Sequence, residues 1–273
     1  MSQTDDDLVE QFFKPTQKIL SPRHYDQKWG LVIYSNKTTL RRNNRVLFYG
    51  VNPGYDPEVK QPIRWSINDS LTFFADGFRK VKDESDSDSN KLLPHERLHP
   101  DCNLIDDQSW PDRGNPARGR AKYQQATRCL LKGIGHPDAL VTNWFFHQTK
   151  NVAELDSGLK DTGQKDFLDA CWRVHQLIFE ITKPRVIVTC SSVLERGLKK
   201  RLGLKRVPPD KDSGYGPNGR KWKCREWEGT WGDQRIVVCQ VPHSTYYDFE
   251  AEYCKTNDVI GWAKQVVAKA VGR

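Results

Sequence analysis

The chain has 273 residues, enough for one large α/β domain with a real core or for two small ones. Hydrophobic residues make up 37% and mean hydropathy is −0.75, so a globular fold with a polar, loop-rich surface is expected; no run approaches the ~20 apolar residues of a membrane helix. A formal net charge of +8 favours polyanionic partners, nucleic acid first among them, although a solvated basic surface would give the same excess.

The first residues, MSQTDDDLVEQFF, have neither a basic start nor an apolar stretch. No leader peptide and no membrane partner are expected, and the setting expected is cytoplasmic. Residues 6–20 read as a helix broken at Pro15. Arg45 to Gly50 (RVLFYG) reads as a buried strand that runs into a turn at Asn52, Pro53 and Gly54. Residues 82–118 are charged and rich in helix breakers, which predicts a long insertion, either a lid or a solvated loop. A helix is expected over 119–133 and a second buried strand from Ala139 to Asn143.

Residues 164–183 place Phe167, Leu168, Cys171, Val174, Leu177, Ile178 and Ile181 at helical spacing. Arg185 to Cys190 is a third strand, with Ser191 or Ser192 capping a helix that runs through Leu202. A second insertion is expected at about 203–230, with a strand at 222–229; another strand covers 235–241 and a last helix 256–271. Strands alternating with helices predict a single α/β domain over 1–273. Its expected form is a three-layer α/β/α sandwich around a mostly parallel central sheet. In such sheets ligands bind beyond the carboxyl ends of the strands, where Asn52, Asn143 and His243 fall. The seven cysteines are odd in number and form no C-x-x-C pair, which argues against a zinc ribbon and a secreted disulfide scaffold. No metal and no cofactor are expected.

Four short motifs carry chemistry, and each also has a plain structural reading. In Gly50-Val51-Asn52-Pro53-Gly54, followed by Tyr55, an Asn held in a rigid turn can offer its amide oxygen to a water molecule; the same residues make a tight turn after a strand. Trp65 can stack on a flat base or sit in the core. Asn143, in Val141-Thr142-Asn143-Trp144, can read a pyrimidine edge with its donor and acceptor, or cap the strand. His243 can stabilise negative charge on a leaving group, or be structural. After it, Ser244 and Thr245 can hold a phosphate, and Tyr246 or Tyr247 can wedge into a base stack. The segment from Arg196 to Arg225 is basic, and Lys199, Lys200, Arg201, Lys205, Arg206 and Arg220 are candidates for phosphate contacts unless the segment is only a solvated loop.

The order and spacing of these motifs resemble the uracil-DNA glycosylase superfamily over residues 45–250. Gly50 to Gly54 is similar to the G-x-N-P-G first motif of its mismatch-specific, thymine and single-strand-selective branches. The gap from Asn52 to Trp65 resembles that from the family's water-positioning residue to its base-stacking aromatic, usually Phe. Val141 to Trp144 looks like its base-reading strand, and Val241 to Thr245 stands where the family has a His-Pro-Ser loop, with Ser244-Thr245 replacing Pro-Ser.

The resemblance implies a monomeric, cofactor-free enzyme that flips a nucleotide from DNA, hydrolyses its glycosidic bond without a Schiff base and leaves an abasic site. It implies that Asn52 positions water, Trp65 stacks on the base, Asn143 reads its edge and His243 supports the departing base. Strict uracil enzymes of the family carry a bulky Tyr where this chain has Gly54. The resemblance therefore implies room for 5-substituted pyrimidines, up to the glucosylated hydroxymethylcytosine of phage DNA, which some members excise in anti-phage defence. Two alternatives stand beside it: repair of uracil or mispaired thymine, and a nucleic-acid-binding module without catalysis. No G-x-S-x-G and no P-loop occurs, which argues against an unrelated α/β hydrolase or P-loop nucleotide-binding protein.

Overall fold

A computed structural model describes residues 5–28, 30–35, 37–51, 66–75, 122–147, 149, 154, 164–190, 193–215, 221–243, 249 and 258–272. Three short runs of aliphatic and aromatic residues make the middle of its sheet: β1 (Val46–Gly50), β2 (Leu140–Asn143) and β3 (Val186–Thr189), buried at every position. Continuous burial, rather than alternation, marks strands covered on both faces. With β4 (Lys205–Tyr215), β5 (Lys221–Trp231) and β6 (Gln234–Gln240) they form a six-stranded sheet of order β2-β1-β3-β6-β5-β4. The β2-β1, β1-β3 and β3-β6 pairs are parallel; β6-β5 and β5-β4 are antiparallel. The protein is thus α/β with a mostly parallel mixed sheet.

Successive side chains of a strand point to opposite faces. Leu47, Tyr49, Leu140, Ile187 and Val238 enter one core with the helices α1 (Asp5–Leu20) and α4 (Gln164–Thr182). Val46, Phe48, Val141, Val188 and Cys239 enter a second core with α3 (Lys122–Gly133) and α5 (Val259–Val271). Among the described residues no helix is long and apolar enough to cross a membrane.

Helix α1 is not broken at Pro15, contrary to the sequence expectation; the proline lies inside one continuous helix. Pro15 removes one backbone hydrogen bond, at a cost of about 3 kcal/mol. Leu8, Val9, Phe12, Thr16 and Leu20 form a fully buried stripe against α4 and α2 (Ile67–Ala75), and that burial outweighs the defect.

Helix α2 was not anticipated, although its signal is present: Ser66 Oγ accepts from Asp69 N at 3.0 Å, and Asp69 Oδ2 accepts from Ser66 N at 3.2 Å, a capping box of S-x-x-D form. Strand β4 was also missed, because its Pro208-Pro209-Asp210 reads as a loop. It is the outermost strand, and its register shifts between Val207 and Lys211, so the prolines sit at an irregularity on an edge where missing donors are tolerated. The helix expected after β3 is present but kinked: a π-helical turn, Leu194–Leu198, runs into the helical turn Lys199–Arg201 around Gly197 at φ 141°. A Cβ at Gly197 would lie 3.3 Å from the Trp144 ring. The insertion expected at 82–118 lies outside the described residues, as do Ser191 and Ser192.

Residues 30–35 run along the outer side of β2. Gly30 bridges His147, Ile33 bridges Thr142, and Tyr34 N donates to Val141 O at 2.8 Å. A Cβ at Gly30 would lie 1.8 Å from the Phe146 carbonyl oxygen, so no side chain fits without moving backbone. Gly30→Ala is expected to cost about 1–3 kcal/mol by overpacking. Urea denaturation reads this directly; an unchanged midpoint would show that the segment shifts freely.

Candidate functional site at the carboxyl edge of the sheet

The chain passes from β1 to β2 on one side and later to β3 on the other. The strand order therefore reverses between β1 and β3, which opens a crevice beyond their carboxyl ends. A small pocket lies there, lined by Phe48, Tyr49 and Gly50 of β1, Cys190 after β3, and Val241, Pro242 and His243 after β6. Val241 N donates to Thr189 O at 2.8 Å, so the chain stays beside β3 after β6 ends and delivers Pro242 and His243 to the crevice.

His243 is half-buried. Burial pushes its imidazole below the usual histidine value, so the ring is neutral at pH 7. A neutral imidazole carries one N–H donor and one acceptor.

Asn143 ends β2 directly opposite Gly50 and is 3% exposed. The chains stay stitched beyond the strands: Trp144 N donates to Gly50 O and Phe145 N to Val51 O, both at 2.8 Å. By alternation from Val141, the Asn143 side chain lies on the same face as Phe48 and Gly50. Gly50 presents no side chain there, so no side chain of its β1 neighbour covers Asn143 on that face. Strands β1 and β3 stand between β2 and β6, so Asn143 and His243 occupy one edge roughly 14 Å apart at ~4.8 Å per strand.

Beneath this edge lies a layer the sequence reading missed. His175, in the middle of α4, is fully buried and stacks on Trp144 with ring centroids 5.1 Å apart and planes within 3°. Its Nε2 donates to Trp144 O at 3.1 Å, and the Trp144 indole N–H donates to Arg196 O at 3.3 Å. The Tyr49 ring meets His175 edge-on at 4.9 Å. Position 175 is four residues after Cys171 and three before Ile178, so the spacing of the apolar stripe already contained it.

Of the other sequence candidates, Gly50 lines the pocket and Val51 is buried in the core, whereas Asn52, Pro53, Gly54, Tyr55, Trp65, Arg220, Ser244, Thr245, Tyr246 and Tyr247 lie outside the described residues. Among the basic residues, Lys199 Nζ lies 5.0 Å above the Trp227 ring of β5. Arg201 bonds Asp169 and lies 5.5 Å over Trp172. Lys200, Lys205 and Arg206 are exposed, the last two on β4. Among the described residues no group of His, Cys, Asp and Glu could hold a metal ion. Compared with models of known protein families and with curated proteins, the chain matches none.

Proposed function

We propose that this protein is a monofunctional DNA glycosylase acting on an extruded pyrimidine, with 5-substituted pyrimidines among the substrates its site admits. One observation carries the proposal: a crevice at the strand-order reversal has a neutral imidazole, His243, on one side and a buried amide, Asn143, on the same edge across side-chain-free Gly50. An amide with a donor and an acceptor suits the edge of a pyrimidine. A neutral imidazole N–H suits an oxygen that gains negative charge as the base leaves.

In the reaction, the bond from the sugar carbon to the base nitrogen breaks and its electron pair goes to the base. The His243 N–H donates to the base oxygen where that charge collects. Water attacks the cationic sugar carbon; its hydroxyl stays on the sugar and its proton ends on the base or in solvent. Asn52, two residues after Gly50 of the pocket, is the residue assigned to hold that water. An amide is a poor base, but so electrophilic a carbon needs an oriented water more than a deprotonated one. Trp65 is assigned to stack on the base and Gly54 to leave space beside its 5-position. No cofactor enters the scheme.

Duplexes and single strands carrying uracil, mispaired thymine, 5-hydroxymethylcytosine or its glucosylated form are incubated with the protein, then cleaved with alkali. Abasic sites are expected, with the 5-substituted cytosines among the substrates cleaved. A preference for uracil or thymine mismatches would assign the same chemistry to repair. Asn52→Ala is expected to lose most turnover and keep DNA binding. Tight binding without abasic sites on any substrate would leave a binding module and end the proposal.

A further inference from the structure

The β4-β5 hairpin extends past the end of the parallel sheet. Arg225 of β5 pairs with Gln240, the last residue of β6, and Asp212 pairs with Lys223. Lys223 therefore lies about 7 Å beyond the carboxyl edge at ~3.4 Å per residue. The pocket residues Val241, Pro242 and His243 follow Gln240 directly, so this part of the hairpin stands beside the pocket.

Three cations on it surround one carboxylate. Arg206 Nε donates to Asp210 Oδ1 at 2.7 Å and its Nη2 lies 2.5 Å from Oδ2. Arg225 Nε donates to Oδ2 at 3.2 Å, and Lys223 Nζ stands 3.9 Å from the same oxygen. Asp210 is inside and the cations are outside: its side chain is 8% exposed, against 48% for Arg206, 45% for Lys223 and 33% for Arg225. Burial pushes the Asp210 carboxyl up, but hydrogen bonds and charges from Arg206 and Arg225 more than reverse this and keep it ionised. One negative charge thus gathers three positive ones, a surplus of two positive charges within this cluster among the described residues.

Hairpin stability does not require this arrangement. Two other carboxylates of β5 pair one to one, Glu228 with Arg235 of β6 and Glu226 with Lys269 of α5. Exposed ion pairs contribute only about 0–1 kcal/mol each, and adding like charges to a satisfied carboxylate works against folding. A guanidinium has five N–H donors. Among the described residues Arg206 directs two of them at Asp210 and Arg225 one, so each guanidinium has further N–H groups that Asp210 does not take. The band continues along the hairpin, because Arg206 pairs with Trp227, over which Lys199 lies.

We infer that Asp210 preorganises Arg206, Lys223 and Arg225 into a phosphodiester-binding platform that holds a DNA strand beside the pocket. This rests on the proposed action on DNA for the identity of the polyanion, and on the hairpin geometry for its place. Phosphate contacts make affinity fall linearly with salt on logarithmic axes, with a slope of about −0.9 per phosphate neutralised on duplex DNA.

Binding of a 20-base-pair duplex without any modified base is followed by fluorescence anisotropy from low to high salt. Lys223→Ala and Arg225→Gln are each expected to make the slope shallower by about 0.9 and to weaken binding equally across sequences. Lys264→Ala, an exposed cation on α5, is expected to leave the slope unchanged. Should Arg225→Gln fail to fold by circular dichroism, Lys223→Ala gives the same reading without leaving Asp210 unpaired. Slopes unchanged in folded variants, or binding to phosphatidylserine vesicles in place of DNA, would overturn the inference. A shallower slope with no base released from any substrate would keep the platform and remove the glycosylase reading; released bases with unchanged slopes would do the reverse.

Discussion

Replacing His243 with alanine is expected to lower the single-turnover rate of base release by about 10²–10³-fold, the usual effect of removing one preorganised donor from a charge-stabilising site. DNA affinity is expected to stay unchanged, because the proposed reaction has the side chain meet the base and not the phosphates. The position supports a large effect: the hydrogen bond from Val241 N to Thr189 O fixes the chain two residues before His243, and burial makes its surroundings less polar than water. A donor in such surroundings interacts more strongly with developing charge. Burial also holds His243 below the ordinary histidine range, so acid is expected to change the wild-type rate only at a lower pH than an ordinary histidine would set. Rapid-quench measurements on the preferred substrate check both statements. A loss of less than about threefold in His243→Ala would take the residue out of the chemistry.

Acid is expected to destabilise the fold, chiefly through His175. Burial pushes its imidazole down to about 4 from the usual 6.5, and the hydrogen bond to the Trp144 carbonyl raises it only in part. Its Nδ1 is buried and has no hydrogen-bond partner among the described residues. Above pH 6.5 the ring is neutral in both the folded and the unfolded chain and contributes nothing to pH dependence. Between 6.5 and about 4 the unfolded chain takes up a proton that the folded ring refuses, so stability falls as pH falls through that window. At about 1.36 kcal/mol per unit the full loss is about 3 kcal/mol, a large share of a typical domain's stability. His175→Gln keeps an N–H for Trp144 O but cannot titrate. Urea unfolding at pH 7.5 and pH 4.5 is expected to show wild type losing about 2–3 kcal/mol more than the variant between the two conditions. Equal losses would place the acid sensitivity elsewhere. Because Trp144 follows Asn143, the same comparison reads how firmly α4 holds the end of β2.

Local sequence was informative wherever local physics decides. Val46 to Gly50, Leu140 to Asn143 and Val186 to Thr189 are apolar runs bounded by turn residues, and all three are strands. The stripe from Phe167 to Ile178 announced α4, and the next helix appeared at its expected place, though kinked at Gly197. Reading failed where position in the fold overrides propensity. Pro15 is tolerated because a buried stripe holds its helix. Pro208 and Pro209 are tolerated because their strand lies at the sheet edge. His175 looked like one polar residue on an apolar face, and its single hydrogen bond exists only once Trp144 is packed against it.

The amino-acid sequence by itself determined the cationic surplus, the parallel strand segments and the candidate residues at their ends. Tertiary structure alone decided that Gly50 meets Asn143, that β3 separates β1 from β6, and that Asp210 gathers Arg206, Lys223 and Arg225. The physical reason is range. Strand and helix formation answer to neighbours within a few residues, whereas strand order and charge clusters answer to which faces can be buried together, and those faces come from segments far apart along the chain.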